Sequence, residues 1–452
     1  METNITKNLH FIAIGGSAMH NLAIALSRSG NKVSGSDDQI FEPSRSRLKK
    51  EGLLPKEEGW FPEKIAAADG IVLGMHAKPD NPELLEAKRL NKDVMSYPEF
   101  LGQCFENDFR VVIAGSHGKT TITSMVLHVL HQLQQDVKYM VGAQLEGFDC
   151  MVKLHGDVNT AIIEGDEYLS SPIDRRSKFL WYKPNLAIIT GIAWDHFNVF
   201  KTEESYIQCF VDFIKSMEPK GTVVYFEEDK IVEAIKKADR ADLTFIPYSV
   251  PNYTVENGEY QVVFDDENYP LSVIGKHNMS NVEGARLLAN KMGVDSASFF
   301  EALSDFGGAA KRLEPVTVKG IAKAYRDFAH APSKVTATVA GVREAYPDKN
   351  IVVFLELHTY SSLNPEFIKN YAKSLDPASK AYVYYDKRAL EIKQMEALNP
   401  SDVKAAFSRP DMEVLTEKDD LSAAFAQDFG ENAVVLFLSS GNFGGMLKLE
   451  AK

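Results

Sequence analysis

The sequence predicts an α/β protein with three domains. Two apolar runs, 9–14 and 109–114, each lead through a glycine-containing turn into a stretch with apolar residues at helical spacing. Further apolar runs alternate with helical patterns as far as the C-terminus, which is typical of α/β proteins. The length of 452 residues accommodates roughly three domains.

The N-terminal domain begins with a predicted strand over 9–14 that ends at Gly15, and a helical pattern follows. A second strand over 32–36 ends at Asp37, and a third strand over 71–73 ends in a loop. This succession predicts a small Rossmann-like α/β domain.

The central domain begins with the strand over 109–114, and its first helix is predicted over about 121–134. Its further strands are predicted at 160–163, 185–190 and 223–226. Residues 243–275 are rich in Tyr, Val and Asn with turn signals, and they predict a small antiparallel insert.

The C-terminal domain is predicted from four further strands that alternate with helices, near 322–325, 351–354, 381–384 and 433–438. This pattern predicts a second Rossmann-like α/β domain, placed after the central P-loop-type domain with its parallel sheet. The predicted domain boundaries are 1–107, 108–310 and 311–452.

Charge and cysteine content exclude several classes of protein. The 50 Lys and Arg against 63 Asp and Glu give a net charge of −13, and no basic cluster indicates a nucleic-acid surface. The three cysteines form neither a metal-binding pair nor a disulfide framework. No run approaches the ~18 apolar residues that span a bilayer. We therefore expect a cytoplasmic protein that binds neither nucleic acid nor membrane.

The strongest local motif is the loop between the strand over 109–114 and the following helix, Gly115-Ser116-His117-Gly118-Lys119-Thr120-Thr121. Such a loop directs backbone N–H groups at phosphate oxygens, Lys119 neutralises phosphate charge, and a Thr hydroxyl reaches Mg²⁺. The usual P-loop spacing would place Gly at position 113, where this chain has Ile113. The alternative is a strand-to-helix turn that contains these residues by chance.

Acidic and histidine side chains follow two neighbouring predicted strands. Glu164 and Glu167 end one strand, and Asp195 and His196 follow the next. Because the carboxyl ends of parallel strands meet at one sheet edge, these groups can converge on the phosphate loop and hold a second Mg²⁺. Alternatively, the acids cap the next helix and His196 is a loop histidine.

The turn after the first strand, Gly15-Gly16-Ser17, lacks the full dinucleotide-binding glycine pattern. Asp37 lies about twenty residues further on, where an acid can bind a ribose. A pyrophosphate-containing nucleotide is therefore one interpretation, and a plain structural turn is the other.

Taken together, these motifs resemble those of the Mur ligases, the ATP-dependent ligases of peptidoglycan precursor assembly. The order of the motifs carries the resemblance: HFIAIGGSAM, AGSHGKTT, EGDE, WDH, GKHNMSNVEGA, KRLEP and DFAHAP. It implies an enzyme that uses ATP and Mg²⁺ to convert the lactyl carboxylate of UDP-N-acetylmuramate into an acyl phosphate, which an amine then attacks. It also implies a monomer or weak dimer.

The resemblance implies a role for each matching residue. Residues implied to bind ATP are Gly115, Ser116, His117, Gly118, Lys119, Thr120, Thr121, Asn278, Asn281, Arg312 and Asp327. Residues implied to bind metal are Thr120, Glu164, Glu167 and His196, and those along the UDP-sugar are Gly15, Gly16, Ser17, Asp37 and His76. The implied catalytic residues are Lys119, His196 and His330. The general base remains open between His196, His330 and a phosphate oxygen.

The amine is expected to be the murein tripeptide L-Ala-γ-D-Glu-meso-diaminopimelate, as in peptidoglycan recycling. Segments 174–179, 327–332 and 439–445 resemble family members that accept this peptide, and Glu356, His358 and Tyr360 are candidates for holding it. The alternative within the family is the biosynthetic ligase that adds L-alanine. Position 211, where several members carry a carbamylated lysine, is Val211.

Two alternatives come from other classes of protein. The N-terminal turn with Asp37 is compatible with a nicotinamide-dependent oxidoreductase, which leaves the loop at 115–121 and the Asn278 motif unexplained. A P-loop binding protein without ligation chemistry would need no second metal site, so replacing His196 would leave its function intact.

Overall fold

The computed structural model describes residues 7–145, 147–194, 199–256, 258–308, 312–318, 320–393, 395–446 and 450–451. The chain divides into two compact units. The first comprises 1–115, 130–191 and 207–247, and the second comprises 116–129, 192–206 and 248–452. The predicted α/β class is confirmed in both.

The first unit contains a four-stranded parallel sheet in the order β2-β1-β3-β4. Its strands are β1 Asn8–Ile12, β2 Lys32–Ser36, β3 Gly70–Leu73 and β4 Val94–Ser96. Its helices are α1 Ser17–Arg28, α2 Ser44–Lys50, α3 Pro82–Arg89 and α4 Tyr97–Cys104. Buried side chains such as Ile12, Leu73 and Leu84 form its core. The predicted Rossmann-like domain is thereby confirmed.

Helix α4 shows how sequence determines a local boundary. The Ser96 hydroxyl accepts the N–H of Glu99, whose carboxylate in turn accepts the N–H of Ser96. This capping box, with Pro98 in the first turn, satisfies N–H groups that have no partner within the helix. Strand β4 therefore passes directly into the helix.

The first unit also contains a seven-stranded sheet in the order β11-β10-β9-β5-β8-β6-β7. Its strands are β5 Phe109–Ala114, β6 Lys138–Met140, β7 Val152–Lys153, β8 Thr160–Glu164, β9 Leu186–Ile189, β10 Thr222–Phe226 and β11 Thr244–Tyr248. The helices that follow in this part of the chain are α5 Lys119–Gln132, α6 Glu203–Lys215 and α7 Asp229–Ala238. The pairs that join β9, β5, β8 and β6 are parallel, and β7 is antiparallel to β6.

The antiparallel insert is smaller than predicted. Strand β11 extends the seven-stranded sheet beside β10, although we expected residues 243–275 to form one insert. The insert is a separate three-stranded antiparallel sheet made of β12 Tyr253–Glu256, β13 Glu259–Phe264 and β14 Glu267–Leu271. Strand β11 fills the unpaired edge of β10, a non-local pairing that the local Tyr and Val content does not specify.

The second unit contains this insert, helices α8 Lys276–Lys291 and α9 Ser296–Leu303, and a further seven-stranded sheet. The sheet order is β19-β18-β17-β20-β16-β15-β21. Its strands are β15 Glu314–Val318, β16 Ile321–Asp327, β17 Asn350–Glu356, β18 Lys380–Tyr384, β19 Glu413–Leu415, β20 Ala433–Leu438 and β21 Glu450–Ala451. Its helices are α10 Pro332–Ala345, α11 Lys387–Ile392, α12 Pro400–Ala406 and α13 Lys418–Phe425.

The neighbouring pairs from β19 to β16 are parallel, so the carboxyl ends of β16, β17, β18 and β20 lie at one edge. Strand β15 is antiparallel to both β16 and β21. The predicted C-terminal α/β domain is confirmed, with this antiparallel extension. Across the described ranges, no helix is both long and apolar enough to cross a membrane.

Candidate active site

The loop after β5 is shaped by two glycines that no other residue can replace without rearrangement. Gly115 has a φ of +124° and Gly118 a φ of +68°. A Cβ on Gly115 would lie 2.2 Å from Thr190 Oγ1, and one on Gly118 would lie 2.1 Å from Asn281 Oδ1. The left-handed backbone and the close approach both require glycine.

Helix α5 begins at Lys119, two residues earlier than predicted. The backbone of Gly118 turns so tightly that the first helical hydrogen bond already runs from the N–H of Ile122 to the carbonyl of Gly118, over 2.8 Å. Lys119, Thr120 and Thr121 therefore belong to the first turn, where N–H groups and the positive end of the helix dipole favour an anion.

The structure brings the two asparagines that were predicted to bind ATP to this loop. Asn281 lies against Gly118, and its amide Nδ2 donates to Asn278 Oδ1 over 3.1 Å. The amide of Asn278 donates to the carbonyl of Ile274 over 2.9 Å. Both side chains are buried at the start of α8, so their orientation is determined by hydrogen bonds within the protein.

Sequence reasoning missed one residue that supports the loop. The hydroxyl of Ser116 lies 2.9 Å from that of Tyr206 and accepts the N–H of Ala193 over 2.8 Å. Tyr206 is fully buried on α6. A tyrosine on the apolar face of a helix looks like an ordinary core residue, so no signal in the sequence identified it.

The acidic segment follows β8 as predicted. Glu164 is the last residue of that strand, and its carboxylate accepts the N–H of Gly142 over 2.9 Å. A Cβ on Gly142 would lie 3.1 Å from Glu164, so this glycine admits the carboxylate. Asp166 pairs with Lys178 over 2.6 Å, whereas Glu167 is buried.

The second metal site remains a prediction. Asp195 and His196 lie outside the described residues. Within the part of the chain that the structure describes, no three His, Cys, Asp or Glu side chains are grouped as metal ligands. Carboxylates such as Glu164 and a hydroxyl such as Thr120 are nevertheless the oxygen ligands that Mg²⁺ prefers.

The N-terminal turn contacts Asp37 directly. The N–H of Gly15 donates to Asp37 Oδ2 over 2.8 Å, and a Cβ on Gly15 would lie 2.9 Å from the same atom. Burial raises the pKa of Asp37 to about 6, although the N–H of Gly15 acts in the opposite direction.

The remaining residues predicted along the UDP-sugar lie at the same sheet edge. Gly16 is the N-cap of α1, and Ser17 is the exposed first residue of that helix. His76 follows β3 and is exposed. The carboxyl ends of β1, β2 and β3 therefore carry Gly15, Asp37 and His76 respectively, as the sequence predicted.

Asp327 lies at the carboxyl end of β16, where its two carboxylate oxygens accept backbone N–H groups. Oδ2 accepts from Leu313 over 2.7 Å, and Oδ1 accepts from Ala329 over 2.6 Å. Burial raises the pKa of this carboxyl group, while the nearby Arg312 lowers it. Asp327 thus fixes the backbone on both sides, and contact with a ribose remains a prediction.

Two further predicted residues lie beside Asp327. The Arg312 guanidinium lies 4.9 Å from the ring centre of Phe328. His330 Nδ1 donates to the carbonyl of Phe328 over 2.8 Å, because a carbonyl can only accept. When the ring is neutral, Nε2 is therefore the basic nitrogen.

The candidates for holding the incoming amine follow β17. Glu356 ends the strand and is buried, whereas Tyr360 is half exposed with the ammonium of Lys393 4.5 Å from its ring centre. A Cβ on Gly441 would lie 3.2 Å from the ring of His358. Glu356 and His358 therefore lie together beside Gly441, whereas the described contact of Tyr360 is with Lys393.

Three family models match successive parts of the chain. "Mur ligase family, catalytic domain" matches residues 8–108, "Mur ligase middle domain" 113–289, and "Mur ligase, glutamate ligase domain" 311–441. The UDP-N-acetylmuramate–L-alanine ligase of Aquifex aeolicus is 30% identical over 96% of this chain and 95% of its own length. The chain belongs to the Mur ligase family. Like other Mur ligases, it is an ATP-dependent enzyme that forms C–N bonds.

Other comparisons agree with this assignment. The UDP-N-acetylmuramate–L-alanine ligase of Persephonella marina is 31% identical over 81% of this chain and 79% of its own length. Among solved structures, the UDP-N-acetylmuramate-alanine ligase of Thermotoga maritima has a TM-score of 0.72 at 20% identity, with 97% of each chain covered. A murein peptide ligase from Psychrobacter arcticus has a TM-score of 0.67 at 22% identity, with the same coverage. These two structures show that the Mur ligase fold extends over the whole chain.

Proposed function

We propose that this chain joins the lactyl carboxylate of UDP-N-acetylmuramate to an amine, with ATP as phosphoryl donor. The observation that carries the proposal is the loop from Gly115 to Lys119. Its two glycines are required by the backbone and by close packing, and Asn281 lies directly against Gly118. This combination of a phosphate-binding loop and a fixed asparagine suits a nucleoside triphosphate.

Each residue has a separate task in the proposed reaction. Lys119 and the N–H groups of the first turn of α5 offset the repulsion between ATP phosphates and the lactyl carboxylate. Mg²⁺, when bound, supplies further positive charge, with Thr120, Glu164, Glu167 and His196 as its proposed ligands. Phosphorylation converts the carboxylate into an acyl phosphate, which a neutral amine can attack. His330, with Nε2 as its basic nitrogen, is one proposed acceptor of the amine proton.

The proposed amine is the tripeptide L-Ala-γ-D-Glu-meso-diaminopimelate. The loop over 171–178 supports it. The carboxylate of Asp174 accepts the N–H of Arg176 over 3.1 Å and the indole N–H of Trp181 over 3.0 Å. Arg176 also stacks 4.0 Å from the Trp181 ring centre, so the loop is ordered while Arg175 is exposed to solvent. Because Arg176 pairs with Asp174 and Lys178 with Asp166, Arg175 is the cation of this loop that suits a substrate carboxylate.

L-Alanine is the second candidate amine, and the curated relatives favour it. The relatives from Aquifex aeolicus, Clostridium perfringens and Persephonella marina, at 30% to 31% identity, are all named UDP-N-acetylmuramate–L-alanine ligases. At 30% identity the chains share a family, while residues that contact the amine are free to differ. The choice between the two amines therefore depends on an assay.

The test is phosphate release from ATP with Mg²⁺ and UDP-N-acetylmuramate, comparing the tripeptide with L-alanine. We expect turnover with the tripeptide and little with L-alanine. Turnover with L-alanine alone would replace the first candidate by the second. Absence of turnover with both amines, in a protein that still binds ATP, would contradict the proposed ligation itself.

A further inference from the structure

Glu356 is a buried carboxylate without a cationic partner in the described structure. It ends β17 at the carboxyl edge of the parallel strands, and only 4% of its surface is exposed. Among the described residues, no Lys, Arg or His forms an ion pair with it. The Lys418 ammonium donates to the carbonyl of Gly444 over 3.3 Å and forms no described ion pair with Glu356. Buried charges in proteins are normally paired, so this carboxylate calls for an explanation.

One oxygen of Glu356 is fully used by the loop that follows β20. Oε2 accepts the hydroxyl of Ser439 and, over 2.8 Å, the N–H of Phe443. Ser439 Oγ in turn accepts the N–H of Gly441 over 2.7 Å. Both groups on Oε2 are donors, so this oxygen acts only as an acceptor. In the described part of the chain, Oε1 has no hydrogen-bond partner.

A second polar atom without a partner lies on the neighbouring strand. Tyr384 is the register partner of Glu356 in β18, and its hydroxyl is buried without a hydrogen bond in the described structure. Burial raises the pKa of Tyr384 to about 12, and the charge of Glu356 acts in the same direction. A Cβ on Gly444 would lie 3.6 Å from both this hydroxyl and Lys418 Nζ, so the phenol lies near the Lys418 ammonium and is not available to a substrate cation.

The loop that follows β20 contains three glycines close together. A Cβ on Gly441 would lie 2.9 Å from Glu356 Oε2. Gly444 and Gly445 both have positive φ, and a Cβ on Gly445 would meet nothing within 4 Å. Of these three glycines, Gly441 is the one described beside the carboxylate, and the ring of His358 lies against the same glycine.

We propose that Glu356 Oε1 binds an ammonium group of the amine substrate that is remote from the reacting amine. The inference rests on the proposed function, because the third residue of the tripeptide carries such a group. The reacting amine must lose its proton before it attacks, whereas a carboxylate stabilises the protonated form. A permanent cation suits this site better than the nucleophile does.

The test compares two peptides that differ only in this charge, L-Ala-γ-D-Glu-L-Lys and L-Ala-γ-D-Glu-L-norleucine. For the wild-type enzyme we expect kcat/KM to be about 10- to 100-fold higher with the lysine peptide, the range for a hydrogen bond to a charged group. Glu356→Gln keeps the shape and an acceptor oxygen for the loop but removes the charge, so it should bring the ratio close to one.

Glu366→Gln is the matched control, because Glu366 is exposed after the same strand and its side chain makes no described contact. It should leave the ratio as in the wild type. If Glu356 had only a structural role, Glu356→Gln would lower the melting temperature and reduce kcat/KM equally for both peptides. That result would overturn the proposal. Equal wild-type rates with the two peptides would overturn it as well, even if Glu356→Gln did not fold, while leaving the proposed ligation intact. Turnover with L-alanine alone would instead show that the tripeptide is not the substrate, and the proposed ammonium site would then have no ligand.

Discussion

Two turns of this molecule have the same plan and different chemistry. In each, a buried strand with parallel neighbours leads through a glycine-containing turn into a helix that begins five residues after the strand ends, with β1 before α1 and β5 before α5. At the first turn, the N–H of Gly15 donates to the Asp37 carboxylate. At the second, Lys119 opens the helix, and Asn281 lies against Gly118.

The difference shows that backbone geometry alone does not define an anion site. A carboxylate bound to the first turn repels phosphate oxygens and accepts hydroxyl groups, which suits a ribose or sugar. The second turn combines N–H groups, a helix dipole and a cation, which suits a polyphosphate. We therefore expect the side chain supplied by the next strand or by the helix start to decide what each turn binds.

The largest expected effect is that of Lys119→Ala. Removal of this charge should lower kcat about 10²- to 10³-fold, because the repulsion between ATP and the carboxylate is no longer offset. Phosphate release measures the effect, and the thermal unfolding midpoint should stay near the wild-type value. Lys291→Ala, at the exposed end of α8, is the control. A variant with near-normal kcat would show that the second turn, like the first, works without a cation.

Gly118→Ala tests whether close packing defines the second turn. The new Cβ would lie 2.1 Å from Asn281 Oδ1 at a φ of +68°. We expect the free energy of unfolding to fall by about 1–3 kcal/mol and the KM for ATP to rise about tenfold. Urea denaturation and steady-state kinetics measure the two quantities.

Gly293→Ala is the matched control, because Gly293 has a φ of +94° and a Cβ there would meet nothing within 4 Å. Only the backbone strain, about 1 kcal/mol, should remain, and the KM for ATP should not change. Equal effects of the two substitutions on KM would mean that the contact between Gly118 and Asn281 is not part of the nucleotide site.

Asp37→Asn tests the acid of the first turn. We expect the KM for UDP-N-acetylmuramate to rise about tenfold while the KM for ATP is unchanged, since an amide replaces a charged acceptor. Asp80→Asn, at an exposed position of the same domain, should change neither value. A higher KM for ATP alone would reverse the assignment of the two turns.

The pH dependence of stability gives a second test of Asp37. Burial raises the pKa of this group to about 6 in the folded protein, whereas an aspartate in an unfolded chain titrates near about 3.9. The folded state therefore binds more protons between these values, and its stability should fall as pH rises from about 4 to 6. Asp37→Asn should remove this part of the slope in urea titrations, and an unchanged slope would contradict the buried environment of Asp37.

The sequence predicts best the long, buried strands, whose own composition identifies them. The bounds of β5 and β20 agree with the apolar runs at 109–114 and 433–438, because strands covered on both faces are continuously apolar. Short edge strands such as β7, β19 and β21 have two or three residues and were missed. Their pairing depends on a neighbouring strand rather than on their own composition.

The candidate site shows the same division. The glycines and Lys119 of the phosphate loop follow from a local motif, and so does Asp37 at its distance from Gly15. The packing of Thr190 on Gly115, of Tyr206 on Ser116 and of Gly142 on Glu164 joins distant parts of the chain. Such contacts leave no periodicity or spacing for sequence reasoning to detect.

The smallest expected effect concerns one serine in each turn. Ser17 follows Gly15 and Gly16 in the first turn, and Ser116 lies between Gly115 and Gly118 in the second. Ser17 is exposed at the start of α1, whereas Ser116 is buried and its hydroxyl bonds to Tyr206 and Ala193. Ser17→Ala should change the free energy of unfolding by less than about 0.5 kcal/mol, whereas Ser116→Ala should lower it by about 1–2 kcal/mol. If the Ser17 hydroxyl contacts the UDP-sugar, the KM for UDP-N-acetylmuramate should rise a few-fold in Ser17→Ala alone. Equal losses of stability would mean that the two turns are supported alike and that their difference lies only in charge.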